Sequence, residues 1–177
     1  ALDKHKHWGS LVDVYDPVMK ASEWCRDQVK TVNTNPEDVK NVIQTHLHLD
    51  HSGAIGHFPN ATHITQRIEY DYAYNPDWFS QPAYIKEYFD KPNIRWKFLQ
   101  GKKTDYFDLY GDGVIKIIFT PGHTPGHQSV LVNLPKTGHM LLTGDACYTG
   151  DHWCDKCLPG LVASASDAAD SVAKLRK

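Results

Sequence analysis

Short apolar runs alternate with Gly-, Pro- and Asp-rich turns along the chain, and the spacing of apolar positions switches several times between helical and strand-like. Val18, Met19, Ala21, Trp24, Cys25 and Val29 have helical spacing, with Asp16 as the cap and Pro17 at the first helical position. Asn35-Pro36-Glu37-Asp38 opens another helical turn in the same way and leads into an apolar strand over 40–45. A short helix is expected over 52–58 and a strand over 61–65. Tyr84, Ile85, Tyr88 and Phe89 again have helical spacing. Residues 106–110 and 114–120 flank Gly111-Asp112-Gly113 and predict a hairpin, because Asp-Gly between apolar runs is a strong turn signal. Two further strands are expected over 128–134 and 139–143. Ser166 is the expected cap of a last helix reaching Lys177. Asp167 in its first turn and Lys174, Arg176 and Lys177 in its last suit the helix dipole.

At 177 residues and 41% hydrophobic content, the chain has the size of one domain, able to bury roughly 70% of its unfolded surface. A formal charge of −2 without a long Lys/Arg run argues against a nucleic-acid surface, which needs clustered cations. No apolar stretch approaches the length of a membrane span, and no signal-peptide pattern is visible. The expected location is therefore cytoplasmic, with periplasmic or secreted as alternatives, because Ala1 in place of Met leaves room for a removed leader or a preceding segment. Cys25, Cys147, Cys154 and Cys157 give no disulfide framework. Cys154 and Cys157 form a C-x-x-C, but Cys25 and Cys147 do not supply the second pair of a zinc knuckle, so the cysteines read as incidental or structural. His5 and His7, lacking a nearby carboxylate, read as a solvated segment. The aromatic residues between Tyr70 and Phe98 are divided between core packing and an aromatic-walled pocket for an apolar substrate tail.

Thr45-His46-Leu47-His48-Leu49-Asp50-His51 sets three imidazoles and a carboxylate into six consecutive positions. At the end of a buried strand, His46 and His48 project from one face while Leu47 points into the core. The turn implied by Ser52-Gly53 can present Asp50 and His51 to a second point nearby, so one loop could serve two metal ions. Downstream, His123 lies between two Pro-Gly pairs, which fix the backbone and permit a close approach. Asp145 follows another strand, and residues at the same ends of neighbouring strands converge. Imidazoles with a few carboxylates suit zinc, while iron, manganese and cobalt take the same donors.

THLHLDH, TPGHTPGH and GDA, in that order, resemble the metallo-β-lactamase superfamily. TPGHTPGHQS followed by LLTGDACYT is similar to the N-acyl homoserine lactonases, which cleave bacterial quorum-sensing signals, and the likeness runs over 35–177. The resemblance implies an α/β fold (α+β in some schemes), a four-layer αββα sandwich forming one domain over 1–177. Relative to the family, that domain is expected to be incomplete at both ends. Supporting strands with an Asp-x-Gly turn would precede it, and a last histidine ligand in a Gly-His-Asp segment would follow.

The resemblance also implies two divalent metal ions. His46, His48 and His123 hold one, Asp50 and His51 the other, and Asp145 bridges them. Tyr148 lies over the metals beside the substrate carbonyl, His127 supports the site, and His57, His63, His139 and His152 match no ligand position. The expected reaction is attack of a metal-bridging hydroxide on the carbonyl of a lactone ring. Tyr148 and one metal stabilise the oxyanion, and Asp50 carries the proton to the departing ring oxygen. The expected partner is a small molecule with an apolar acyl tail, with no nucleic acid and no membrane, and a homodimer is an admissible assembly. The competing readings are a glyoxalase II type thioesterase, a β-lactamase, or a non-catalytic metal-binding module. A diiron oxygen-reducing protein is disfavoured, because that branch usually has a carboxylate where this chain has His48. RNA-processing members are disfavoured by the lack of a basic face.

Overall fold

The structure is a computed structural model that describes residues 4–15, 18–101 and 106–177. Helices and strands are mixed, and the chain divides into two compact units. One comprises residues up to Ile43 with Leu47–Ile64 and Ala73–Lys97, the other Gln44–His46, Thr65–Tyr72 and Phe98–Lys177.

The first unit opens with helix α1 (Lys4–Trp8), 3-10 turns at Gly9–Asp13 and Ala21–Glu23, and helix α2 (Cys25–Gln28), which runs into a 3-10 turn at Val29–Val32. The single helix expected through Val29 is therefore broken into pieces; its proposed cap and first residue, Asp16 and Pro17, lie outside the described residues. Lys20 and Trp24 are extended, and the Glu23 carboxylate accepts from the Lys20 N–H at 2.7 Å. Val18 is 90% exposed, so the apolar stripe buries too little to propagate a helix beyond one turn.

Strand β1 (Asn41–Ile43) pairs in parallel with β2 (Thr62–Gln66), Val42 opposite His63, and β3 (Arg95–Leu99) completes a sheet of order β1-β2-β3. Leu47, Ile55, Ile64 and Phe89 are fully buried, as the pattern of the 40–49 segment requires for Leu47. Helix α3 (Leu49–Ser52) starts earlier than the helix expected over 52–58. His48 is extended and its carbonyl accepts from the N–H groups of His51 and Ser52 at 3.0 and 2.9 Å, so the helix begins directly behind it. Gly56, at φ 85°, interrupts the helical path downstream. Helix α4 (Arg67–Tyr74) follows β2, and α5 (Lys86–Phe89) holds Tyr88 and Phe89 of the helically spaced set, while Tyr84 and Ile85 precede it. The aromatic segment is split: Tyr84 and Phe89 are buried, whereas Trp78 and Phe79 are exposed.

The second unit is built on an antiparallel sheet of β4 (Tyr106–Asp108), β5 (Ile115–Phe119), β6 (Gln128–Leu134) and β7 (Gly138–Leu142), in that order. Ile117 faces Val130 and Val130 faces Leu142, which sets an apolar row across one face. The predicted hairpin is present, and its turn is tied by the Asp108 carboxylate, which accepts from Gly111 and Gly113 N–H at 2.9 and 2.8 Å. After β7 come a 3-10 turn at Gly144–Ala146, helix α6 (Gly150–Trp153) and helix α7 (Ala165–Leu175). The cap of α7 is Ser164, two residues before the expected Ser166. Its Oγ accepts from the Asp167 N–H at 3.3 Å, the three-residue reach of an N-cap. Of the basic residues at the end of α7, Lys174 donates to the Phe119 carbonyl at 2.7 Å and Arg176 to the Trp153 carbonyl at 2.6 Å. Among the described residues, no helix is long and apolar enough to cross a membrane.

Candidate metal centre

The segment between β5 and β6, Thr120 to His127, is a closed loop. Thr120 N–H donates to the His127 carbonyl at 2.9 Å, and Gly122 N–H to that of Thr124 at 3.0 Å. Both Pro-Gly pairs earn their glycine by close approach. A Cβ on Gly122, at φ 139°, would sit 2.4 Å from the Ala168 backbone, and one on Gly126 would sit 2.3 Å from Glu69 N. Glu69, fully buried on α4, accepts from the Thr124 hydroxyl at 2.6 Å and from Gly126 N–H at 3.1 Å. These bonds pin the backbone on the C-terminal side of His123.

The His123 ring is oriented from elsewhere. Its Nδ1 lies 2.7 Å from the Leu161 carbonyl, which can only accept, so Nδ1 carries the proton and Nε2 presents its lone pair. That Nε2 is 3.4 Å from Asp145 Oδ2, and His46 Nε2 is 3.9 Å from the same oxygen. The His46 and His123 rings meet edge to face with centroids 4.8 Å apart. His46 is suspended beside β6: Gln128 N–H donates to the Thr45 carbonyl at 2.9 Å, and its side-chain amide donates to that of Gln44 at 2.8 Å. Gln66 in turn donates to the Gln128 side chain at 2.7 Å. Asp145 is held by His127, whose Nε2 accepts from the Asp145 N–H at 3.0 Å while its Nδ1 lies 3.1 Å from the Thr120 carbonyl. His127 therefore braces the site, as expected. The Tyr148 hydroxyl completes the group, 3.3 Å from Asp145 Oδ2 and 3.2 Å from His123 Nδ1.

The second unit thus brings together His46, His123, Asp145 and Tyr148. Two imidazole nitrogens and a carboxylate oxygen converge from positions 46, 123 and 145, which suits a divalent ion of the zinc type. The other predicted donors lie in the first unit. Asp50 and His51 occupy α3 with Asp50 Oδ2 3.4 Å from His51 Nε2, and the His48 ring meets the edge of Tyr84 at 4.8 Å. Only Leu47 separates His48 from His46 along the chain.

The remaining histidines have other duties. His63 is buried beside Trp96, and desolvation together with the nearby Lys91 pushes its pKa down to about 4. His57 stacks on Trp24, and His152 accepts from the Tyr148 N–H at 3.1 Å. All four cysteines are free thiols, and burial raises the pKa of Cys147. Glu69, Gln128 and the Leu161 carbonyl escaped the sequence reading. A backbone carbonyl leaves no mark in sequence, and Glu69 is 54 residues from His123 in a segment without any motif.

Residues 10–177 match the metallo-beta-lactamase superfamily. Over 176 residues the chain is 57% identical to the N-acyl homoserine lactonase AttM of Rhizobium radiobacter, a match that covers 99% of this chain and 67% of AttM. It is 37% identical over 152 residues to an N-acyl homoserine lactonase of Bacillus cereus, covering 84% of this chain and 54% of the relative. Among solved structures, a mutant of Bacillus thuringiensis AiiA with N-decanoyl-L-homoserine bound at its active site matches with a TM-score of 0.77 and 31% identity. The match covers 90% of this chain and 59% of AiiA. An N-acyl homoserine lactone hydrolase with N-hexanoyl-L-homoserine bound at its catalytic metal centre matches with the same TM-score and identity. The chain spans two thirds of AttM and somewhat over half of the solved structures it resembles. With the donor loop, the Pro-Gly-flanked histidine and the matched span agreeing, the chain belongs to the metallo-β-lactamase superfamily.

Proposed function

We propose that this chain carries the catalytic core of a metal-dependent N-acyl homoserine lactonase, with both units acting as one domain. The observation that carries the reading is the convergence of His46, His123 and Asp145 beside the Tyr148 hydroxyl. The names of the AttM relatives and the acyl homoserine in the matched AiiA structure support the substrate class. In this reading His46, His48, Asp50, His51, His123 and Asp145 would hold two divalent ions. Zinc is the expected metal, with iron, manganese and cobalt as alternatives. Bound ions would supply a nucleophile at neutral pH by lowering the pKa of water from 15.7 to roughly 7.

The chain's own groups do the rest. Tyr148 donates its hydroxyl proton in a hydrogen bond to the lactone carbonyl oxygen and holds it as charge develops there. Asp50, exposed on α3, moves a proton to the ring oxygen as the ring opens. The Leu161 carbonyl keeps the His123 proton on Nδ1 and so keeps Nε2 available as a donor atom. The acyl tail runs among the aromatic residues of the 70–98 segment. Four free thiols agree with a reducing, cytoplasmic setting. A homodimer is one admissible assembly, and the mass in solution distinguishes it from a monomer.

The purified protein should contain two equivalents of metal and hydrolyse N-acyl homoserine lactones faster than a glutathione thioester or a penicillin. Faster turnover of either competitor, or metal content of one equivalent or none, overturns the reading. Tyr148→Phe should lower kcat with both equivalents retained, and an unchanged rate refutes the role given to that hydroxyl.

A further inference from the structure

Tyr148 is 46% exposed, so packing alone does not fix its ring. Its backbone N–H donates to His152 Nδ1 at 3.1 Å, and the two rings meet at a centroid distance of 5.5 Å. Because Nδ1 accepts, the His152 proton lies on Nε2. His152 is itself set at the start of α6, where its N–H donates to Thr149 Oγ1 at 3.3 Å. The far end of α6 is closed by two bonds that straddle Asp155, whose φ is 58°. Lys156 N–H donates to the Asp151 carbonyl at 3.0 Å, and Asp155 N–H to that of His152 at 3.3 Å, the arrangement of a Schellman ending. Arg176, just beyond α7, donates to the Trp153 carbonyl and pairs with the Asp155 carboxylate. A connected set of bonds therefore runs from the end of α7 through α6 to the Tyr148 backbone, and from there to a hydroxyl beside Asp145 and His123.

We propose that His152 is a positioning residue for Tyr148: its Nδ1 fixes the Tyr148 backbone so that the hydroxyl stays at the Asp145–His123 edge, where a substrate carbonyl is to be held. The inference rests on the proposed lactonase reading for its kinetic consequence, but its structural consequence stands apart from that reading. Loss of the acceptor leaves the Tyr148 N–H to solvent and lets the side chain sample other rotamers. Fewer molecules then have the hydroxyl in place when the carbonyl is attacked.

The test compares His152→Ala with His152→Asn, whose side-chain oxygen can take the place of Nδ1 as acceptor. Each is made in the otherwise unaltered holoenzyme and in Tyr148→Phe. His152→Ala should lower kcat on an N-acyl homoserine lactone about tenfold, of the order expected for one hydrogen bond. KM should stay within about twofold and both metal equivalents should remain, while His152→Asn restores most of the rate. In the Tyr148→Phe background, His152→Ala should cost nothing further, because the two residues act as one unit. With 3-fluorotyrosine at position 148, the fluorine resonance should shift or broaden in His152→Ala and return in His152→Asn. Equal kcat losses in both backgrounds, no rescue by Asn, or an unmoved fluorine resonance each overturn the proposal. Should Tyr148→Phe alone leave kcat unchanged, the catalytic role of Tyr148 fails. The fluorine resonance then decides the positioning role, moved and restored by Asn in support, unmoved against.

Discussion

In the unit built on β4 to β7, the side chains of His46 and His123 are 0% and 2% exposed. In the other unit, Asp50 and His51 are 58% and 29% exposed and share a four-residue helix. The buried donors are fixed by groups remote in sequence: Gln128 for the backbone before His46, the Leu161 carbonyl for His123, and His127 for Asp145. The exposed donors depend on one turn of α3, whose first bonds run from His51 and Ser52 N–H to the His48 carbonyl. The first set of donors is preformed, and the second depends on a small helix. Donors whose partners already hold them pay little ordering cost when an ion binds, whereas a single helical turn is marginal by itself.

Substitutions on the two sides should therefore differ in effect. His123→Ala removes a preformed donor and should abolish lactone hydrolysis, by about 10³-fold or more, with loss of metal measured by mass spectrometry. Activity within tenfold of the parent would show that this buried histidine is dispensable. Asp50→Asn should cost about 10²-fold in kcat, the lower range for a proton-transfer group, while the protein keeps at least one metal equivalent. Loss of both equivalents would show that metal binding depends more on Asp50 than on the buried donors.

The brace itself can be weakened without touching a donor. Glu69→Ala leaves the Thr124 hydroxyl and Gly126 N–H without their buried acceptor and should destabilise the protein by about 1–3 kcal/mol in thermal denaturation. Glu69→Gln keeps an acceptor oxygen and should cost less. A pH-dependent effect concerns the first unit. His63 is held to a pKa of about 4 by burial and by Lys91, while an unfolded histidine titrates near 6.5. Its folded pKa is depressed, so the unfolded chain takes up the proton first. This contribution to stability is complete above about pH 6.5 and is lost as pH falls through 4. His63→Phe should make the denaturation midpoint fall less steeply across that window, and an unchanged slope would remove His63 from the account.

The sequence made the second unit legible almost strand by strand, because Asp-Gly at a hairpin and alternating apolar runs act locally. It misplaced α3 and the cap of α7 by two or three residues, where several residues offered acceptable starts and backbone geometry selected one. It read one helix before Val29 where the structure has short pieces, since helical spacing without a surface to bury against does not hold a helix together. The donor types at 46–51, 123 and 145 were legible because turn chemistry and strand ends leave compact signatures. Glu69 and Leu161 were not.

By itself, then, the sequence determined the family, the strands of the second unit and the candidate donor residues, all of which depend on neighbours along the chain. Tertiary structure alone decided that Glu69 anchors the His123 loop, that a carbonyl at 161 sets the His123 tautomer, and that His152 grips Tyr148. Those roles come from hydrogen bonds, and a hydrogen bond exists only where folding brings a donor within about 3 Å of an acceptor, whatever their separation in sequence.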